Sequence, residues 1–342
     1  MKAATKWILR KFQDLNHDKM NKIVDIISKN NNNKSKLYIK FDMIRSFLKY
    51  GTGYTDYFRG NFINIKHEEK KTFVTAKSFY KIIHYLNNYN YIGIFTNKLI
   101  FDKFFKEYLK RDYLNLKIAT FEEYEAFLNN HKTVFAKDPL GECGHGIKKI
   151  QVESITDRKA LYDELINNKQ FLLEEEIVQC EQANEINPYV VNSFRVITLV
   201  KDGKSYIVGN ALRVNQDKSE VIGCTNDLYF SFGEDGKINS NVIDDYGQVY
   251  DTHPLTGKKF SEIKIDQIAE SFEMCKKAAL EVPEVRYVGW DVAFSTKGPV
   301  LVEGNEYPGY GIVQFYKLKN KTTGHLKDIQ DVIGDEVKNI KL

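Results

Sequence analysis

The chain has little cysteine. Cys143, Cys180, Cys224 and Cys275 are scattered and form no C-x-x-C unit, which argues against a zinc site or a disulfide framework and fits a reduced, cytoplasmic setting. No stretch approaches the roughly 18 consecutive apolar residues of a transmembrane helix. Charge of one sign is nearly absent in excess: the net value is +4 over 342 residues, with acids and bases interspersed. That balance does not by itself imply nucleic acid, and it mildly favours anionic small molecules. The P-loop pattern G-x-x-x-x-G-K-[ST] is missing, so Gly51-Thr52-Gly53-Tyr54-Thr55-Asp56-Tyr57 reads as a turn packed by aromatics. Neither an internal repeat nor a nucleophilic triad is apparent. The apolar run Trp7-Ile8-Leu9, between Lys6 and Arg10-Lys11, is too short for a secretory signal. Trp7, Ile8, Phe12 and Leu15 line one side of a basic helix, read as packing on the body of the protein, with weak membrane-surface contact as the alternative.

What is present is a 42% hydrophobic chain long enough for about two domains. Apolar periodicity predicts helices over 1–30, 37–49 and 75–87, with a polar loop at 30–33. A strand is expected at 91–95, and then Thr96-Asn97-Lys98 opens a helix carrying Phe101, Phe104, Phe105 and Tyr108. Strands at 133–137 and 147–152 flank a glycine-rich loop, followed by a helix at 157–167 and an apolar strand at 171–179 broken by Glu174, Glu175 and Glu176. A solvated edge strand accounts for those acids, and so does a hinge that pairs its backbone with an adenine edge. Asp202-Gly203 signals a hairpin between 193–200 and 205–214. Loops with short strands fill 219–250, and 251–258 is turn-rich, with His253 and Lys258 read as surface-loop residues ahead of substrate-facing ones. A helix at 266–280 precedes a final hairpin, and from 317 a polar tail ends in a helix.

Four places carry chemistry. In the hairpin of residues 285–309, a turn centred on Lys297 sets Val292 against Val302 and Asp291 against Glu303, with Asn305 on the same face. Two carboxylates and an amide that close repel unless cations sit between them, and hard oxygen donors suit magnesium with phosphate rather than zinc. A plain amphipathic hairpin with solvated acids is the competing reading. In the loop Asp138-Pro139-Leu140-Gly141-Glu142-Cys143-Gly144-His145-Gly146, glycines let backbone N–H groups approach phosphate oxygens, within reach of Lys137. Lys98 stands in a first helical turn, where the helix dipole disfavours a cation unless an anion is near. Arg195 and Arg213 lie on opposite strands of the second hairpin. A strict two-residue turn puts them on opposite faces, so both serve one site only if a bulge or a longer loop intervenes.

In order and spacing these elements resemble the ATP-grasp superfamily, and its sugar-transfer-associated branch of bacterial surface-polysaccharide clusters in particular. The residues that carry the resemblance are Asn97-Lys98, Phe135-Ala136-Lys137 with 141–147, 173–179, Val191-Asn192-Ser193-Phe194-Arg195, 251–257, and Val288-Gly289-Trp290-Asp291 with Glu303-Gly304-Asn305 and Pro308-Gly309. It implies an α+β fold whose two lobes clamp a nucleotide, with an N-terminal helical and partly α/β extension. The expected division is 1–95, then a small lobe at 96–180 and a large lobe at 181–342. The resemblance implies that Lys98 and Lys137 contact phosphates, that Gly144, His145, Gly146 and Ile147 close over them, and that main-chain groups of Glu175, Glu176, Ile177 and Val178 form the adenine hinge. Glu185 or Gln182 is left for the ribose. Asp291, Glu303 and Asn305 are implied to hold one or two Mg2+ ions, with Mn2+ as a substitute, and Arg195, joined by Arg213, to steady the transferred group. The implied activity is an ATP-dependent carboxylate–amine ligase working through an acyl phosphate in envelope-polysaccharide synthesis, on small-molecule acids and amines that include sugar-linked ones. The alternative is a phosphotransferase with a hydroxyl acceptor. Residues 224–232 depart from the family's Asp-Asn and double-Gly look, which bears on the acceptor pocket.

Overall fold

The computed structural model describes residues 16–141, 146–218 and 226–340. Two antiparallel sheets organise them. The smaller contains β1 (Tyr113–Asn115), β2 (Thr133–Lys137), β3 (Ile147–Gln151) and β4 (Leu172–Glu175), in the order β1-β4-β2-β3. Period-two alternation sends Val134, Ala136, Ile150 and Leu173 to one face, where Tyr124, Leu128 and Leu165 of two helices cover them. Both helices begin on side-chain caps. Thr120 forms a reciprocal capping box with Glu123 ahead of Phe121–Asn130, and Asp157 accepts the Ala160 N–H ahead of Arg158–Asn167.

The larger sheet contains β5 (Ser193–Lys201), β6 (Lys204–Asn215), β7 (Asp227–Phe230), β8 (Tyr287–Ser295) and β9 (Gly298–Asn305), in the order β7-β6-β5-β8-β9. Asp202 and Gly203 close the β5–β6 hairpin, both with positive φ (51° and 71°) as the right-handed twist of the strands requires. One face, with Phe194, Val196, Leu212, Trp290 and Val292, packs on the helix Ile268–Glu281. The opposite face, with Ile197, Leu199 and Tyr287, packs on Leu326, Ile329 and Ile333. The chain after residue 317 is therefore a core element rather than a polar tail: its helix His325–Ile333 buries one apolar stripe.

The N-terminal helices His17–Asn30, Lys36–Tyr50 and Tyr54–Arg59 share a core with Tyr229, Phe315 and Leu318 of the larger half. Phe95, Phe101, Phe105 and Leu109 likewise pack with the larger sheet, around Trp290. The strand expected at 91–95 is instead a 3-10 turn, Tyr89–Tyr91, followed by the short helix Gly93–Thr96, because Phe95 is drawn into this aromatic cluster rather than into a ladder. Among the described residues no helix is long and apolar enough to cross a membrane.

Candidate active site

The β8–β9 hairpin places the acids, but its register differs from the expected one. The turn holds two residues, Thr296 and Lys297, and is closed by Ser295 opposite Gly298, whose φ is +90°. Val292 therefore faces Leu301, not Val302. A bulge then inserts one extra residue into β9, and beyond it Asp291 faces Glu303 and Gly289 faces Asn305. The expected pair is met because the bulge cancels the one-residue error at the tip.

On that face Arg195 holds Asp291 with two parallel hydrogen bonds, Nε to Oδ1 at 2.6 Å and Nη2 to Oδ2 at 2.9 Å. The arginine passes over Gly289, where a Cβ would sit 3.1 Å from its Cδ and 2.7 Å from Pro308 Cβ, so only glycine fits. Asn305 donates its amide to Glu303 Oε1 at 3.2 Å and to Asp291 Oδ2 at 3.5 Å. Burial, and then the Asp291 charge, push the Glu303 carboxyl up from its ordinary value, and Lys98 pulls against both. Lys98 Nζ is 3.9 Å from Glu303 Oε2 and donates to Gly141 O at 2.6 Å, while the Lys98 N–H donates to Pro139 O at 2.9 Å. The helix that carries Lys98 is thus tied directly to the glycine loop. Asn97 caps it by accepting the Leu99 N–H. Glu303 thus places an anion beside Lys98.

Lys137 sits elsewhere in the same region. It forms an ion pair with Glu174, its diagonal neighbour across β2 and β4. Glu174 is neither solvated nor on an edge: β4 is interior and the side chain is buried. Its other oxygen accepts from the buried Arg111, Nε at 2.8 Å. Arg111 also donates to Leu301 O at 2.5 Å and to Val302 O at 3.5 Å, the carbonyls at the β9 bulge. Burial alone would raise the Glu174 carboxyl, but Arg111 and Lys137 hold it well below the usual range. Buried Asp102, one helical turn after Lys98, is pushed up by burial and by Glu174. Asp102, Arg111 and the buried state of Glu174 escaped the sequence reading. The available signal was an acid directly after the apolar Phe171-Leu172-Leu173, matched by an arginine before a short strand.

The remaining candidates divide. Arg213 shares the Arg195 face, because a bulge at Ile197/Thr198 sets Ser193 opposite Arg213, and it pairs with Asp227. Gly146 has φ +76° and receives the Asp138 N–H on its carbonyl at 3.3 Å, while Ile147 opens β3 opposite Lys137. Gly144 and His145 lie outside the described residues. Segment 175–178 leaves the small sheet for the large one, where Val178 O accepts the Thr296 N–H at 3.0 Å. The Glu175 carboxylate takes Lys297 at 2.8 Å, and Glu176 takes Lys149 at 3.0 Å. Glu185 pairs with Lys258 at 2.6 Å, and Gln182 donates to Asp266 at 2.8 Å. His253 is not a surface-loop residue: it is buried, its Nε2 is 3.0 Å from Asn215 O, and its Nδ1 receives backbone N–H groups of its own turn.

The site therefore joins three oxygen donors, two of them like-charged, to Arg195 and Lys98. Hard donors in mutual repulsion fit a magnesium ion. Among curated proteins, none matches the chain's sequence. Solved structures with similar chain paths include D-alanyl-alanine synthetase A from Vibrio cholerae (17% identity, 71% of this chain and 66% of that one, TM-score 0.40). Biotin carboxylase from Campylobacter jejuni, in complex with β-γ-ATP, gives 9% identity over 70% of this chain and 46% of that one, TM-score 0.46. The biotin carboxylase domain of Hydrogenobacter thermophilus 2-oxoglutarate carboxylase, with MgADP and bicarbonate, gives 15% identity over 64% and 41%, TM-score 0.42. The chain spans 41% to 66% of the length of these three. The sequence profile of sugar-transfer associated ATP-grasp proteins matches residues 81–329. The two sheets are the lobes of an ATP-grasp fold, and the chain belongs to the sugar-transfer associated ATP-grasp family.

Proposed function

We propose that the chain is an ATP- and magnesium-dependent ligase that joins a carboxylate to an amine. The observation that carries this is the row Arg195–Asp291–Glu303–Asn305 with Lys98 at its end. Asp291, Glu303 and Asn305 would hold magnesium, which when bound neutralises the charge of the nucleotide's phosphates. Lys98 and Lys137, with Gly146 and Ile147 of the glycine loop, bind phosphate, and the main chain of 175–178 takes the adenine. Glu185 or Gln182 contacts the ribose after giving up its present partner.

In this scheme the substrate carboxylate attacks the γ-phosphorus of ATP, the β–γ bridging bond breaks, and ADP leaves. The amine then displaces phosphate from the acyl phosphate and loses a proton. The protein's part is positioning and charge stabilisation, with Arg195, aided by Arg213, set against the negative charge that develops. Exclusion of water by the loop protects the activated acid from hydrolysis. The acid and amine are small molecules, with sugar-linked acceptors of envelope-polysaccharide synthesis as the class.

An ADP-release screen with magnesium, run across acids and amines with mass spectrometry of the product, tests the reading. ADP release that needs both an acid and an amine and yields an amide is expected. A phosphate ester formed without an amine replaces the ligase by a phosphotransferase using the same nucleotide site.

A further inference from the structure

The helix Lys36–Tyr50 is apolar on two opposite sides, and the core accounts for only one of them. Ile39, Met43 and Ser46 face inward and are buried. Leu37, Phe41, Ile44 and Leu48 face outward, with exposures of 80%, 64%, 46% and 67%. Their spacing of i, i+4, i+7, i+11 is one continuous stripe at 3.6 residues per turn. Single exposed leucines are ordinary, whereas four in register on one helix form a patch.

The borders of the stripe are basic. By helical position Lys36 and Lys40 lie along one side and Arg45 and Lys49 along the other. Tyr38, 51% exposed, stands beside Arg45 and Lys49 at the helix's outer edge. The helix's one acid, Asp42, is turned aside and accepts a hydrogen bond from Tyr57 Oη at 2.6 Å. Lys36 and Lys40 reach back to Asp25 and Asn21 of the neighbouring helix at 2.7 and 3.0 Å, through contacts that are themselves solvent-exposed. An apolar ridge between two basic borders, backed by a rigid body, is the pattern of a helix lying in the plane of a membrane interface. Lysine and arginine stems cover apolar surface while their charged ends reach headgroups. A protein partner would need a complementary acidic rim around an apolar groove, and four bases against Asp42, which is internally paired, and Asp25, which Lys36 holds, leave a net positive border that fits a uniformly anionic surface better.

We propose that the helix Lys36–Tyr50 docks the protein on anionic lipid bilayers, with Leu37, Phe41, Ile44 and Leu48 inserted at the headgroup level. The inference does not depend on the nucleotide site. Co-sedimentation of the full chain with vesicles tests it, using phosphatidylcholine alone against an equal mixture with phosphatidylglycerol. Binding to the anionic vesicles about tenfold or more tighter than to the neutral ones is expected, weakening as salt rises. The double variant Phe41→Glu/Leu48→Glu, changed only at exposed positions, keeps the wild-type melting temperature and loses about tenfold or more in vesicle affinity. Three results overturn the proposal: no sedimentation of the wild type with anionic vesicles at low salt, undiminished binding by the double variant, or a wild-type dimer by light scattering that the double variant converts to monomer. The last assigns the stripe to a second copy of the chain.

Discussion

Glu174 shows how far a single side chain can depart from its sequence appearance. Read beside Glu175 and Glu176 it is one of three acids on a strand, and only the sheet order reveals it as a buried anion between two cations. Removing one partner of such a group leaves charge uncompensated, at about 3–5 kcal/mol. Glu174→Gln keeps the shape and leaves Arg111 and Lys137 facing a neutral amide. The pH dependence follows from the sign of the shift. The folded carboxyl lies at about 2, below the ordinary 4.5, so its stabilisation is present above the ordinary value and is lost as pH falls. The melting temperature of Glu174→Gln is therefore expected well below wild type at neutral pH, with the gap closing as pH drops below about 4.5. Paired thermal melts across that range check it, and a gap that stays constant with pH counts against the charge as its cause.

Elements, in contrast to single residues, were legible at several places where local chemistry decides them. Asp202-Gly203 announced its hairpin and Asp157 its helix, and the face shared by Asp291, Glu303 and Asn305 follows from period two, whereas the helix Phe121–Asn130 was missed although Thr120 and Glu123 spell its capping box. The β9 bulge was not legible, because the ladder groups an extra residue frees are taken there by a tertiary partner, and the β5–β6 bulge entered only as a condition under which Arg195 and Arg213 share a face. At β9 the partner is Arg111, whose guanidinium reaches the Leu301 and Val302 carbonyls while holding Glu174. It thus joins the strand that carries Glu303 to the residue that anchors Lys137. Arg111→Lys keeps the charge but cannot span all of these acceptors. On the proposed function, the variant should bind a non-hydrolysable ATP analogue without metal to within about twofold of wild type, yet lose about tenfold of the tightening that magnesium confers. Calorimetry with chelator and then with magnesium measures both. Equal losses in the two conditions would point to general loosening of the fold instead.

At the scale of the whole molecule, the sequence divides into three stretches more cleanly than the cores do. The first helices complete a core with Phe315 and Leu318, the last helix covers the larger sheet, and Phe95 and Phe105 pack on Trp290 although they precede the smaller sheet. These long-range unions depend on which apolar faces meet, which periodicity along the chain does not encode. Between the sheets run segment 175–180, the Arg111 contacts and the Lys98–Glu303 approach. A nucleotide bound across these links touches both lobes and should stabilise them as a unit. A ligand that binds only the folded state adds about 2.7 kcal/mol at a hundredfold excess over its Kd. Magnesium with ATP is accordingly expected to raise the melting temperature by several degrees, and ATP with chelator by clearly less. Asp291→Asn removes a proposed metal ligand and the charged partner of Arg195, so on the proposed function its melting temperature should respond equally to ATP with and without magnesium. A wild-type melting temperature that ignores magnesium-ATP at saturating concentration would count against a nucleotide site at Asp291 and Glu303. A rise that survives intact in Asp291→Asn would keep the nucleotide but move its metal to other residues.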